Sequence, residues 1–136
     1  MTDQATKIAL GEAVIGYVFQ DKALIWEAIQ APGHLNERLA LVGDAAMRLF
    51  LHKQSYGRGL SKGQSSIRHD GIANNAHLAE VGNSMQFPTF INKNISHAGG
   101  ISEKAMAATV EAVIGAAFLD GGLNAVQTVI VKLGLQ

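Results

Sequence analysis

Apolar residues recur every three or four positions through most of this chain and nowhere alternate over a strand-like run, which predicts an all-α fold. A first helix is expected over about Ala5 to Val18, with Thr2 or Asp3 as caps, and Asp21 is placed to cap a second, Lys22 to Gln30. Ala31-Pro-Gly-His34 then breaks the chain. The third helix, about Leu35 to Lys53, carries Leu39, Leu41, Val42, Ala46, Leu49 and Phe50 and is apolar on nearly every side, which predicts the central helix of the bundle. Tyr56-Gly-Arg-Gly59 ends it. Ser61 is positioned to cap a short fourth helix to Asp70, Gly71 to break it, and Ile72 to Val81 to form a fifth. Phe87-Pro-Thr-Phe90 and Ser96-His-Ala-Gly-Gly100 bracket an irregular stretch. Ser102 should cap a sixth helix to Leu119, and Asp120-Gly-Gly122 should stop it before a last one, Asn124 to Leu133.

With 136 residues, 48% of them hydrophobic, the chain is expected to form one domain, residues 1–136, with a substantial core. The absence of cysteine excludes a disulfide framework, a thiolate nucleophile and a cysteine zinc site. His34, His52, His69, His77 and His97 show no paired ligand spacing, which argues against zinc. No secretory or Arg-rich transit pattern opens the chain, and no run reaches about 18 uninterrupted apolar residues. The expectation is therefore an intracellular protein away from the membrane, with cytoplasm and mitochondrion both open. Asn94-Ile-Ser96 is then no glycosylation site. Gly99-Gly100 and Gly121-Gly122 lack the strand-then-helix context of nucleotide loops and read as turns. Ala112, Gly115, Ala116 and Ala117 form a small-residue face suited to close helix packing or a dimer seam.

Net charge is zero, yet Ala45 to His69 contains no acid while holding Arg48, Lys53, Arg58, Lys62 and Arg68. Two readings stand side by side: a solvated, glycine-loosened loop with scattered cations, or a basic edge for phosphate contact.

The acids carry the sharper signal. Glu37 and Asp44 are seven apart, only about 20° around a helix, with Ala40 on the same stripe. Glu111 is the only acid between Lys104 and Leu119. An acid on each of two buried-leaning helices suggests a shared metal site. Ion pairing is the plainer alternative, with Arg38 or Lys104 as partners for Glu37 or Glu111.

The segment Asn36-Glu-Arg-Leu-Ala-Leu-Val-Gly-Asp44 resembles the ribonuclease III family element Asn-Glu-Arg-Leu-Glu-Phe-Leu-Gly-Asp. Ala107-Ala-Thr-Val-Glu-Ala-Val-Ile-Gly-Ala116 resembles that family's Ala-Asp-Thr-Val-Glu-Ala-Leu-Ile-Gly-Ala. Ile15-Gly-Tyr-Val-Phe-Gln-Asp-Lys-Ala-Leu-Ile-Trp-Glu-Ala-Ile29 and Asn75-Ala-His-Leu-Ala79 are similar to two further family elements in the same order, so the likeness runs from about Ile15 to Leu133. The resemblance implies a helical bundle forming a two-fold dimer, a valley that accepts double-stranded RNA by shape, and Mg²⁺-dependent cleavage, with Mn²⁺ as a substitute. It also implies basic contacts through Arg48, Lys53, Arg58, Lys62 and Arg68. The chain stops just after the last helix, like minimal members lacking a separate RNA-binding domain.

Four family carboxylates hold the catalytic magnesium, and their positions fall here on Ala40, Asp44, Ala108 and Glu111. Two of the four are alanine, whether natural or introduced. Asp44, Glu111 and Glu37 are the expected catalytic residues, Asp44 and Glu111 also the metal ligands, with Glu37 at an acidic position that the family has beside the site and near its dimer seam. Two-metal cleavage holds its cations about 3.5–4 Å apart, and a pocket of charge about −2, or about −3 if Glu37 turns in, suits one weak Mg²⁺ rather than two. The expectation is a double-stranded-RNA-binding domain whose endoribonuclease activity is impaired. The alternative is a non-catalytic RNA-binding or assembly protein, such as a mitochondrial-ribosome-type component.

Overall fold

The computed structural model describes residues 3–31, 35–93 and 100–136, and among them all regular structure is helical apart from one isolated bridge between Gln30 and Asn92. Six α-helices and a 3₁₀ turn follow in order: α1 (Gln4–Ile15), α2 (Lys22–Ala28), α3 (Glu37–Gly57), α4 (Lys62–Ala73), α5 (Asn75–Ser84), the turn Phe87–Thr89, and α6 (Glu103–Leu133).

The ends are set by local chemistry. Asp3 caps α1 by accepting from the Thr6 N–H at 2.7 Å, and Gly16 in the left-handed region stops the helix short of Val18. Asp21 caps α2 as expected, but that helix ends at Ala28, where Gln30 and Ala31 turn to pair with Asn92. Ser61 and Gln64 form a reciprocal capping box at the start of α4. The break foreseen at Gly71 lies instead at Asn74. Its amide donates to the Asp70 and Gly71 carbonyls while its oxygen accepts from His77 N–H, so one side chain closes α4 and opens α5. Ser102 caps α6. Near the expected stop, Gly122 takes a non-helical conformation (φ 71°, ψ −162°), and the run resumes beyond this kink to Leu133. Ala31 is described, whereas residues 32–34, the 94–96 sequon and His97 lie outside the described residues.

The central helix is α6, not α3. The stretch from Ala112 to Ala117 is wholly buried, and α6 packs against α3, α5, α2 and α1. Small side chains let these neighbours come close without leaving voids. By contrast α3 leaves one flank open, with Leu41 73% and Leu49 54% exposed. Helix α6 is long and apolar enough to cross a membrane by length and composition, and 56% of its most apolar window is buried inside the fold, as suits a core helix.

Candidate functional site

Two glycines position the acids. A β-carbon at Gly43 would overlap the Glu111 carbonyl, and one at Gly115 would overlap the Leu39 carbonyl and lie 2.8 Å from the Gly43 nitrogen. Helices α3 and α6 therefore touch backbone to backbone, and the residue after Gly43, Asp44, is brought against Glu111. Asn36 pins the start of α3 in the same place. It is 1% exposed and its amide donates to the Ala28 carbonyl at 2.9 Å and to the Thr109 hydroxyl at 3.1 Å, joining α2, α3 and α6.

Asp44 and Glu111 form a half-buried carboxyl pair. Desolvation, then a hydrogen bond and charge repulsion from Asp44, push the Glu111 carboxyl up to about 7. No ion pair within the described residues reaches either acid. Ala40 and Ala108 lie one helical turn before Asp44 and Glu111 on the same faces, both half-buried, and no group of three His, Cys, Asp or Glu capable of holding a metal occurs among the described residues. Glu37 is exposed at the start of α3. Arg38 pairs with neither Glu37 nor Glu111 but forks onto Glu27, with both contacts at 2.7 Å. That hydrogen-bonded fork holds the Glu27 carboxyl below its usual range. Lys104 makes no ion pair with Glu111.

Of the basic residues, Arg48, Lys53, Arg58 and Lys62 are exposed. Arg68 is turned inward and ties α4 to α3, donating to the Leu51 carbonyl, the Ser55 hydroxyl and the Gln54 side chain at 3.1, 3.1 and 2.6 Å. Its guanidinium is spent on the fold. Beside it, His52 and His69 stack at 5.4 Å between ring centroids. This pairing was hidden in the sequence, because residues 17 apart on two helices share no helical spacing.

A family model described as ribonuclease-III-like matches residues 22–136. The chain belongs to the ribonuclease-III-like family. Ribonuclease 3 of Heliobacterium modesticaldum is 34% identical over 116 residues, covering 82% of this chain and 49% of that protein. Ribonuclease 3 of Streptomyces coelicolor is 32% identical over 143 residues, covering 96% and 51%. The chain thus spans about half the length of the curated relatives it matches. Among solved structures, the nuclease domain of Campylobacter jejuni ribonuclease III, described for flexibility in a region involved in dimer formation, superposes with a TM-score of 0.81 at 25% identity. That match covers 93% of this chain and 94% of the other. A second structure of the same nuclease domain gives 0.80. The all-helical ribonuclease III architecture expected from the motifs is therefore the fold of this chain.

Proposed function

We propose that this ribonuclease-III-like domain binds double-stranded RNA and keeps, between Asp44 and Glu111, a residual site for one divalent cation, with strand cleavage impaired. The observation that carries the reading is a two-carboxylate pair flanked by Ala40 and Ala108 and lacking any ion-pair partner within the described residues. Its donor set fits one hard cation. Two adjacent carboxylates, one of them pushed up to about 7 by burial and by the other, have an unmet demand for positive charge. Magnesium takes one or two carboxylates and completes its shell with water. The same donors do not fit two cations, for which a charge near −2 is too small.

Asp44 and Glu111 would hold the ion, Mg²⁺ or Mn²⁺, whose chemistry there is to polarise a phosphoryl oxygen and acidify a bound water. The chain supplies the rest. Arg48, Lys53, Arg58 and Lys62 offer exposed charge to a phosphate backbone, giving salt-dependent binding that reads shape rather than sequence. Leu41, Ala45 and Leu49 make an exposed stripe along α3 that Glu37 opens, a surface suited to the two-fold dimer.

The test is cleavage of a long double-stranded RNA with Mg²⁺ or Mn²⁺, beside a doubly substituted Asp44→Ala, Glu111→Ala control. Weak activity above the control supports the reading, and Ala40→Glu with Ala108→Asp should raise it strongly. A second reading, the non-catalytic one, is favoured by the Glu111 carboxyl itself, since near neutral pH a proton shared with Asp44 satisfies the pair without metal. It expects duplex binding indifferent to Mg²⁺ and cleavage equal to the control.

A further inference from the structure

Away from the carboxylate pair, where α3 ends and α4 begins, lies a cavity of about 450 Å³. Its polar lining is His52, Tyr56, Ser61, Lys62, Ser65 and Ser66. Every one of these groups can donate a hydrogen bond and none is a carboxylate. Asp70, beyond the cavity on α4, is tied to His69 at 3.1 Å. The Ser61 hydroxyl and backbone are committed to the capping box, so the first backbone N–H groups of α4, those of Lys62 and Gly63, have no acceptor inside the helix. His52 is steadied on one side by Ser65 and on the other by the stacked ring of His69. His69 is 4% exposed, and its Nε2 is the one buried side-chain nitrogen or oxygen among the described residues without a hydrogen-bond partner.

Tyr56 gives the cavity an aromatic wall. Its ring is 86% exposed, and it lines both this cavity and a second one, of about 430 Å³, that contains Lys53. An exposed phenol ring on a cavity lined by a lysine and hydrogen-bond donors, with no carboxylate, matches two halves of one ligand, an anionic phosphate and a flat base.

We propose that this cavity binds a nucleoside monophosphate unit, with the phosphate held by Lys62, His52 and Ser66 and the base stacked on Tyr56. The unit is either a free nucleotide or the phosphorylated end of an RNA strand. The site rests on residues separate from the Asp44–Glu111 pair and needs no metal.

The experiment is an NMR titration of the intact chain in EDTA with AMP, adenosine and inorganic phosphate in turn. AMP should give saturable shifts at His52, Tyr56 and the first turn of α4. Lys62→Ala should weaken AMP about tenfold or more, as expected for one lost charge-assisted hydrogen bond. Tyr56→Ala should weaken AMP about fivefold or more while leaving inorganic phosphate unchanged. Both side chains are exposed, so neither variant threatens folding, and Lys93→Ala, at another exposed lysine, should bind AMP like the parent. Equal shifts with AMP and adenosine, shifts scattered over the surface, or an unaltered Lys62→Ala titration would overturn the proposal. Duplexes with 5′-phosphate and 5′-hydroxyl ends separate the two sources: tighter binding of the phosphorylated one identifies a strand terminus, and equal binding identifies the free nucleotide. Because the AMP titration contains neither duplex nor metal, its failure is distinct from failure of duplex binding.

Discussion

Replacing Gly43 by alanine puts one methyl group where two helices meet. Glycine in a helix interior is ordinarily a defect, and alanine there gains about 1 kcal/mol. At Gly43 the new carbon would overlap the Glu111 carbonyl and sit 2.9 Å from the Gly115 nitrogen. Both neighbours are backbone, so no side-chain rotation relieves the overlap. Helices α3 and α6 must part along their whole contact, by about 1 Å or more, and dispersion falls off steeply over that distance. Overpacking of this kind costs about 1–3 kcal/mol, and lost contact along the most extensive helix pair in the fold adds to it. The net expectation is a loss of about 2 kcal/mol, near 6 °C in Tm for a chain of this length. Gly71→Ala is the matched control, because Gly71 lies within α4 with nothing near its absent β-carbon. It should stabilise by about 0.5–1 kcal/mol. Urea titrations followed by circular dichroism read both. A Gly43→Ala midpoint equal to or above the parent's would refute backbone contact as the reason the two acids meet.

Two further outcomes follow from buried polar groups. Asn36→Ala removes two buried hydrogen bonds and leaves the Ala28 carbonyl without its amide donor, so the urea midpoint should fall by the equivalent of about 2–3 kcal/mol; a loss under about 1 kcal/mol would show that the clasp contributes little. The folded Glu111 carboxyl, pushed up to about 7 from an ordinary 4.5, binds its proton more tightly than in the unfolded chain. Its stability contribution is therefore complete below the unfolded value and lost as pH rises from about 4.5 to 7. Discounted for partial solvation, it amounts to about 1–2 kcal/mol. Unfolding in EDTA across that range should show the decline and Glu111→Gln should flatten it, whereas stability rising through the window would contradict the shift.

Periodicity and motif order made the helical plan readable, and Ser61, Asp21 and Ser102 announced three helix starts through their side chains. What escaped was whatever depends on contact between distant segments. Helix α3 looked central because its composition is apolar all round, yet burial follows from the neighbours a helix has, and it is α6 that packs against α1, α2, α3 and α5. Gly71 looked like a break because glycine weakens helices, but Asn74 offered both a donor and an acceptor and the chain bent there. Asp44 and Glu111 were legible as a pair because each interrupts an apolar stretch. Arg68 read as a free cation, and Arg38 as a partner for Glu37 or Glu111, because nothing local betrays partners 14 and 11 residues away, Gln54 and Glu27. Charge counting overstated the basic edge by Arg68, whose guanidinium ties α4 to α3.

The carboxylate pair links protons to metal. A cation seated between Asp44 and Glu111 requires both ionised, and below about pH 7 it must displace the Glu111 proton. Apparent affinity should therefore fall about tenfold for each pH unit below 7 and level off above it. The same ion offsets the repulsion that lowers stability at high pH, so millimolar Mg²⁺ or Mn²⁺ should raise the urea midpoint at pH 8 and much less at pH 6. Equal stabilisation at both values would mean either that Glu111 is ionised throughout or that the cation sits elsewhere. No stabilisation at either would leave the pair satisfied by its shared proton, the state the non-catalytic reading requires. A fold that kept both acids against the desolvation of α6, with no ion-pair partner among its described residues, is stabilised at neutral pH either by that proton or by that metal. Because proton and metal compete for the same oxygens, one stability series across pH and cation concentration separates them without reference to cleavage.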